Sequence, residues 1–420
     1  MSSLNVELYG SLLGTLSNKA NGFDFHVNTD IFTKYSFSSK IISLAVLLNP
    51  KLTAAQNKRA SNFFNELLPE GRNSAWLGRS LPQGKRSGYD MLRKYGKDIA
   101  GALIIYDPED PSSSKNAKSE KVDNEQIRLL FENMPWEALA NSPVSGKTSL
   151  GGVQVKIVLA KKGEFWYRAH YGFPSTHILK PAMAEYPTMI YDEAFCMQMA
   201  HKAGLTEYPV WIESFDGTDA LVIERYDRDK TIPGERIHQE DFNQALGAHG
   251  NEKYQEYGGK VKAKRIADTL ARFGNESDVK KFASQLIFAV AIGNLDMHAK
   301  NVSVLHLPDE SITLAPTYDQ VPLRHQNTDG RMALSIGGEY VHANITLTHI
   351  ASELASWDCN CFTDNTEAKA FINNCLASFN DALNNIVPDE KAYPSLRGDI
   401  SSFIENLISG KSIGHNISKK

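Results

Sequence analysis

The chain has 420 residues, of which 42% are hydrophobic and 22% charged, an ordinary globular composition at a length that predicts two or three domains. A formal net charge of −4 excludes a strongly basic nucleic-acid-binding protein, although Lys and Arg outnumber Asp and Glu within residues 51–100. Four cysteines exclude a disulfide scaffold, and neither a secretion signal nor a run of about 18 apolar residues is present, so we expect a cytoplasmic protein.

Residues 1–107 are predicted to form a small N-terminal α/β subdomain. Short apolar or alternating stretches indicate its strands, and two longer stretches indicate its helices. The strands are expected at 4–8, 23–27, 41–48 and 100–106, and the helices at 53–68 and 88–95. A polar, Pro- and Ser-rich run follows, and because it has little apolar surface to bury we interpret residues 108–120 as a linker.

A β-rich small lobe is predicted at residues 121–235 and a helical large lobe at residues 236–420. The small lobe has expected strands at 153–160 and 220–224 and an expected helix at 186–204. In the large lobe the clearest helix begins with Ser277 as its N-cap. Apolar residues then recur at steps of three and four, which is typical of a helix with one face in a core.

The strongest local pattern is GNLDMHAKN at residues 293–301, which places Asp296 and Asn301 five residues apart at the end of this helix. Two short predicted strands and then Asp319 follow. This order resembles the catalytic segment of protein kinases, in which one Asp handles the substrate hydroxyl while an Asn and a second Asp bind Mg²⁺ through oxygen. Helix caps and a turn residue explain the same residues taken singly, but their order with the hairpin favours the kinase interpretation.

Two glycines precede a predicted strand in SLGGVQVK at residues 149–156. Backbone N–H groups of such a segment can approach phosphates, although a Gly-Gly turn that opens a hairpin is the commoner explanation of this pattern taken alone. The overlapping SGKTS at 145–149 is not a P-loop. Asn141 stands where the first glycine is required, and a strand-like run follows instead of a helix.

Two further patterns suit the small lobe of a kinase. Lys180 ends a strand-like stretch and Glu193 lies on the helix that follows, so the pair could hold a phosphate-binding lysine. A lysine near a glutamate is common, however. The apolar strand that runs into charged residues at 221–228 suits a hinge that binds adenine, and an edge strand with solvated charges is the alternative.

Together these segments resemble the HipA family of bacterial toxin kinases. The similar segments, in the family's order, are SLGGVQVK (149–156), THILKP (176–181), DEAF (192–195), VIERYDR (222–228), EDFNQALG (240–247), GNLDMHAKN (293–301) and LAPTYD (314–319). The resemblance implies an α+β, protein-kinase-like two-lobed fold, with a β-rich small lobe, a helical large lobe and an extra N-terminal α/β subdomain.

The resemblance also implies roles for individual residues. Asp296 is the expected catalytic residue, Asn301 and Asp319 are the expected Mg²⁺ ligands, and Ser149 is the expected site of inhibitory autophosphorylation. The expected ATP-binding residues are Gly151, Gly152, Val153, Gln154, Lys180, Glu224, Tyr226, His298 and Tyr318. A phosphate on Ser149 would add about −1.5 to −2 charges beside the ATP phosphates and repel them.

The family further implies a serine/threonine-protein kinase toxin that uses ATP and Mg²⁺ and causes growth arrest by phosphorylating a protein, with an aminoacyl-tRNA synthetase as the expected substrate. The expected partner is a HipB-like DNA-binding antitoxin, and DNA is contacted only through that complex. The basic excess within residues 51–100 could face an acidic partner or be solvated surface.

Two alternatives stay open at this point. A small-molecule phosphotransferase of kinase-like fold shares the spacing of Asp296, Asn301 and Asp319, but SLGGVQVK and EDFNQALG argue against it. A catalytically silent co-repressor that acts only with its antitoxin would not need these residues, whereas all the expected catalytic residue types are present.

Overall fold

The structure is a computed structural model that describes residues 3–19, 22–68, 81–84, 86–110, 116–133, 156–256 and 259–415. An N-terminal subdomain, a β-rich small lobe and a helical large lobe follow one another along the chain, each with its own cluster of buried apolar side chains. No helix within these ranges is long and apolar enough to span a membrane.

The N-terminal subdomain is an antiparallel sheet covered by helices. Its strands are β1 (Ser3–Leu8), β2 (Ser11–Lys19), β3 (Gly22–Val27) and β4 (Ile104–Tyr106), in the spatial order β3-β2-β1-β4. Its helices are α1 (Ala54–Glu66) and α2 (Gly88–Tyr95). Alternate side chains of β1 are buried, and Phe23, Phe25, Phe63 and Phe64 fill the space between β3 and α1. A capping box of Thr53 and Gln56 begins α1.

Two predictions for this subdomain differ from the structure. Strand β2 was not predicted, and the strand predicted at 41–48 is an irregular segment. Its apolar side chains are buried as a strand's would be, but its backbone bonds to the large lobe, since Leu44 N donates to Glu240 Oε1 at 2.7 Å. Apolar periodicity records burial, and here a side chain from another unit takes the hydrogen bond that a neighbouring strand would otherwise make.

The small lobe is a six-stranded antiparallel sheet in the order β5-β7-β6-β8-β10-β9. Its strands are β5 (Lys118–Val122), β6 (Ile157–Lys162), β7 (Phe165–His170), β8 (His177–Pro181), β9 (Val210–Phe215) and β10 (Thr218–Glu224). Its helices are α3 (Asn124–Glu132) and α4 (Met189–Lys202). Strand β5 starts inside the predicted linker, because residues 118–120 pair with β7. Helix α4 starts later than residue 186, and Gly204 follows it with φ of 73°.

The large lobe is mostly helical. Its helices are α5 (Phe242–Ala245), α6 (Ala263–Phe273), α7 (Glu276–Ile292), α8 (Leu347–Ala355), α9 (Asn365–Asn384) and α10 (Leu396–Ile408). Its strands are β11 (His238–Asp241), β12 (Ser303–His306), β13 (Ile312–Leu314), β14 (Arg331–Ile336) and β15 (Glu339–Val341). Helix α7 is the centre of this lobe, packed by α6, α9 and α10. Its N-cap is Asn275 and not Ser277, since the Asn275 side chain accepts from Asp278 N at 3.1 Å.

Candidate active site

Helix α7 delivers the segment 293–301, which we call the catalytic loop, to the cleft between the lobes. The helix ends at Gly293, whose φ of 73° is in the left-handed region, and a Cβ there would lie 3.0 Å from Arg324 Cβ. A glycine therefore allows the sharp turn. Asn294 N then donates to Ala289 O at 2.8 Å, so the loop leaves the helix in a fixed direction.

Asn294 joins the catalytic loop to the segment that carries Asp319. Its Oδ1 accepts from Asp296 N at 3.0 Å, and its Nδ2 donates to Asp319 O at 3.3 Å. The same Nδ2 lies 3.2 Å from Gln320 Oε1. Neither Asn294 nor Gln320 was predicted as a site residue, although each lies within two residues of a predicted aspartate.

The predicted catalytic residue Asp296 and the predicted Mg²⁺ ligand Asn301 are brought together. Asn301 Nδ2 donates to Asp296 O at 2.9 Å, which closes the loop on itself. Tyr254 OH donates to Asp296 Oδ1 at 3.5 Å, a long bond from a residue that sequence analysis missed because no local pattern surrounds it. His298 Nε2 lies 3.9 Å from Asp296 Oδ2, and burial lowers the pKa of His298, so the ring is neutral and touches the carboxylate without a salt bridge.

Lys180 at the end of β8 is held between two carboxylates. Its Nζ lies 2.7 Å from Glu193 Oε1 on α4 and 2.7 Å from Asp319 Oδ1 in the large lobe, so the predicted ion pair is present. Burial opposes the charge of the lysine, but Asp319 and Glu193 outweigh burial and raise the pKa of Lys180. Burial likewise opposes the charge of Asp319, and Lys180 outweighs it and lowers the pKa of this carboxylate. Both groups are therefore charged at neutral pH.

Asp319 has a strained backbone. Its φ is 54°, in the left-handed region that non-glycine residues seldom adopt. The contacts of its side chain with Lys180 and of its carbonyl with Asn294 hold this conformation. Strain of this kind persists where the surroundings over-determine the backbone, which is common at functional sites.

Three tyrosines pack together beside the catalytic loop. The rings of Tyr226 and Tyr318 stack with centroids 5.6 Å apart, and Tyr208 lies 5.7 Å from Tyr226. Burial raises the pKa of Tyr226 and Tyr318, so both phenols stay protonated and donate hydrogen bonds. Tyr318 OH donates to Lys300 O in the catalytic loop at 2.8 Å. Glu224 is the last residue of β10 and is exposed, and Tyr226 follows it two residues later in the sequence.

The charged residues after β10, which were predicted to be part of a hinge, are hydrogen-bonded to the N-terminal subdomain. Arg225 forms a bidentate pair with Asp227, with atoms 2.9 and 2.7 Å apart, and donates to Ile99 O at 3.0 Å. Asp227 Oδ2 in turn accepts from Gly101 N at 2.7 Å. The charged residues after β10 are therefore mostly buried and paired, and the sequence alternative of solvated charges on an edge strand does not hold for them.

The residues present suit Mg²⁺ and a nucleotide. Asn301 and Asp319 offer an amide and a carboxylate oxygen, the donor type that Mg²⁺ prefers, and Lys180 offers a cation for phosphate. Within the described ranges no three His, Cys, Asp or Glu side chains are grouped as a metal site, so phosphates and water would have to complete the ligand set. Ser149, Gly151, Gly152, Val153 and Gln154 lie outside the described residues.

Comparison with known proteins identifies the family. The model of the HipA-like C-terminal domain matches residues 148–383, and that of the HipA N-terminal domain matches residues 4–106. A putative kinase Y4mE of Sinorhizobium fredii is 31% identical over 349 residues, 80% of each chain. The serine/threonine-protein kinase toxin HipA of Shewanella oneidensis is 28% identical over 356 residues, 80% of this chain and 79% of that one.

A solved structure agrees on the fold. The chain is similar to one in the Shewanella oneidensis MR-1 complex of HipA, HipB and operator DNA, with a TM-score of 0.78 at 23% identity, covering 97% of this chain and 96% of that one. The α+β, protein-kinase-like fold expected from the sequence is confirmed. With both of its domain models matched, this chain belongs to the HipA family.

Proposed function

We propose that this kinase-like enzyme is an ATP- and Mg²⁺-dependent serine/threonine-protein kinase that acts as the toxin of a toxin–antitoxin pair. One observation supports this most strongly: Lys180 bridges Glu193 and Asp319 at 2.7 Å each. Asn294 links Asp319 to the loop that carries Asp296 and Asn301. A phosphate-binding cation, two oxygen ligands and a carboxylate near the metal are the parts that phosphoryl transfer requires.

The chain's own residues would divide the reaction among them. Mg²⁺-ATP, when bound, supplies the γ-phosphate and the metal charge that stabilises its transfer. Asn301 and Asp319 would hold the metal, and Lys180 would neutralise phosphate charge from the small lobe. Asp296 would orient the substrate hydroxyl and accept its proton, with Tyr254 keeping the carboxylate in place. The tyrosine stack would cover one face of the adenine.

Similarity to the family supports our proposals for the substrate, the partner and the regulation. We propose a protein serine or threonine as phosphate acceptor, with an aminoacyl-tRNA synthetase as the substrate whose loss of activity arrests growth. A relative named as a HipA toxin kinase and a neighbouring structure that contains HipB and operator DNA support a HipB-like antitoxin as partner and DNA contact through it. Autophosphorylation at Ser149 would switch the enzyme off.

Phosphoproteomics tests the proposed function. Cells that express the wild-type chain are compared with cells that express Asp296→Asn, with and without the small DNA-binding protein encoded beside it. We expect one or a few protein sites to gain phosphate with the wild type alone, together with growth arrest. In a parallel assay with small alcohols as acceptors, phosphate transfer to these alcohols and to no protein would instead identify a small-molecule phosphotransferase. No phosphate gained anywhere, with repression intact, would identify a silent co-repressor.

A further inference from the structure

We infer that Glu66 of the N-terminal subdomain is a positioning residue for the catalytic loop, acting through Lys300. This inference rests on the proposed kinase function, since the loop carries Asp296 and Asn301. It assigns a part in phosphate transfer to a subdomain that contains none of the catalytic residues.

Glu66 lies at the C-terminal end of α1 and is almost completely buried, with its side chain 3% exposed. Its Oε2 accepts from Lys300 Nζ at 2.8 Å. Its other oxygen accepts from His249 Nδ1 at 2.8 Å and from Gly250 N at 2.9 Å. A carboxylate fixed by several donors in a buried place is a rigid anchor, and it directs its charge at the lysine of the catalytic loop.

Lys300 is held at both ends. Its ammonium bonds to Glu66, and its carbonyl accepts from Tyr318 OH at 2.8 Å. The next residue is Asn301, whose backbone N donates to His298 O at 2.9 Å and whose side chain closes the loop on Asp296. A shift of Lys300 would therefore move the metal ligand beside it and loosen the loop around Asp296.

The segment EDFNQALG at 240–247 packs around the contact between Glu66 and Lys300. Asn243 Nδ2 donates to Glu66 Oε2 at 3.2 Å, and Gln244 Nε2 donates to Phe63 O at 3.2 Å. Glu240 accepts from Ser43 Oγ at 2.6 Å on one side and contacts His306 at 2.9 Å on the other. Helix α5 thus packs between α1 and the residues 299–301. The motif, which the reaction itself does not use, joins the N-terminal subdomain to the catalytic loop.

The charge of Glu66 matters more than its size. Glu66→Gln keeps the shape of the side chain but removes the negative charge and one of the two accepting oxygens. Lys300 then lacks this counter-charge in a place where its side chain is 18% exposed. Misplacement of a reacting group by a fraction of an ångström lowers the rate of the chemical step, whereas Lys180, the proposed phosphate-binding cation, is held by Glu193 and Asp319.

The experiment compares Glu66→Gln with Asp24→Asn. Asp24 pairs with Lys19 at 3.0 Å on the surface of the same subdomain, so this variant removes an ion pair without touching either lobe. We expect Glu66→Gln to lower kcat on the order of tenfold or more, with KM for ATP nearly unchanged. Amide hydrogen exchange of residues 296–301 should rise in the same variant, and Asp24→Asn should alter neither quantity.

A second variant tests the same contact in case the Glu66→Gln protein does not fold. Lys300→Met breaks the pair from the other side and should give the same loss of kcat and the same rise in exchange. The double variant should be no slower than the slower single variant, because both changes remove one contact.

Wild-type kcat and exchange in either folded single variant would overturn the inference. So would a loss of activity that appears only in KM for ATP while exchange of residues 296–301 stays unchanged. Hydrogen exchange is measured without substrate, so it tests the support of the catalytic loop by Glu66 independently of the proposed kinase function. If exchange rises in Glu66→Gln but the wild type transfers no phosphate, the proposed function fails and the support of the loop by Glu66 stands.

Discussion

Lys180 and Asp319 meet across the cleft, the lysine from the small lobe and the aspartate from the large lobe, with 2.7 Å between Nζ and Oδ1. The same lysine is paired with Glu193, so one cation lies between two carboxylates and weakens their mutual repulsion. Both groups that we propose to meet the nucleotide are thus already charged and aligned before it binds, which lowers the cost of organising the site.

Replacement of this lysine should stop phosphate transfer. Lys180→Met removes the cation that bonds to both Glu193 and Asp319, and breaking a buried pair in this way costs up to about 3–5 kcal/mol of stability. We expect a fall in kcat/KM of at least about 100-fold and a lower thermal midpoint. The control is Lys161→Met in the same sheet, which loses a partly exposed pair with Glu213 at 3.4 Å and the contacts of the ammonium with the rings of Trp166 and Trp211. Equal kcat/KM for the two variants would contradict the role of Lys180.

The two cleft aspartates should be essential for chemistry and dispensable for folding. Asp296→Asn and Asp319→Asn keep side-chain volume but remove the charge at the proposed proton acceptor and at the proposed metal ligand. We expect transfer to fall below detection in both, with circular dichroism spectra like that of the wild type. Asp309→Asn, in the exposed turn between β12 and β13, is the matched control and should keep full activity. ATP turnover by Asp296→Asn at the wild-type rate would refute the assignment.

Self-inactivation should depend on Ser149. After incubation with Mg²⁺-ATP, wild-type protein is expected to gain one phosphate at this residue and to bind ATP more weakly, because the phosphate competes for the same donors and cations. Ser149→Ala should bind ATP normally and keep its activity over time. Intact mass and ATP titration measure both effects. The regulatory hypothesis is wrong if wild-type protein gains no phosphate there, or if the phosphorylated form binds ATP as tightly as the unmodified one.

Acid should destabilise the large lobe through His342. Burial lowers the pKa of His342 from 6.5 to about 4, and the ring bonds to Val290 O at 2.8 Å on α7. The unfolded chain takes up the proton first, so the stabilising contribution is complete above pH 6.5 and is lost as pH falls toward 4. The loss is about 1.4 kcal/mol per pH unit for this one group.

Urea unfolding at several pH values between 7 and 4.5 tests this. His342→Gln should unfold with a shallower dependence of stability on pH than the wild type over that interval. His26→Gln, at an exposed position of β3, should leave the slope unchanged. The same slope in His342→Gln and wild type would show that the buried ring does not set the acid limit.

Local spacing was enough to predict the parts of the site that lie close together in the sequence. Asp296, Asn301 and Asp319 lie within one helix–loop–hairpin unit, so their order indicated the chemistry, and the expected pair of Lys180 and Glu193 is present. Tyr254 and Glu66 could not be found in this way, because they reach the loop from 42 and 234 residues away in the sequence. Long-range contacts of this kind leave no periodic pattern.

Two predictions of secondary structure were wrong for related reasons. The segment 41–48 has the apolar content of a strand, yet its backbone bonds to Glu240 from another unit of the chain. The start of α7 was misplaced by two residues because Asn275 and Ser277 are both good N-caps, and only the bond from Asp278 N to Asn275 distinguishes them.

The attachment of Arg225 and Asp227 to residues 99–101 has a consequence for how the cleft can open. The N-terminal subdomain bonds to residues 225–227 there and to the catalytic loop through Glu66, so two separate points of the two lobes are attached to the same subdomain. Rotation of one lobe relative to the other must therefore either stay small or move the N-terminal subdomain as well. Linkage then works in both directions. A ligand that stabilises the closed cleft makes the N-terminal subdomain harder to detach, and a protein that detaches this subdomain lowers the affinity for the ligand by the same free energy.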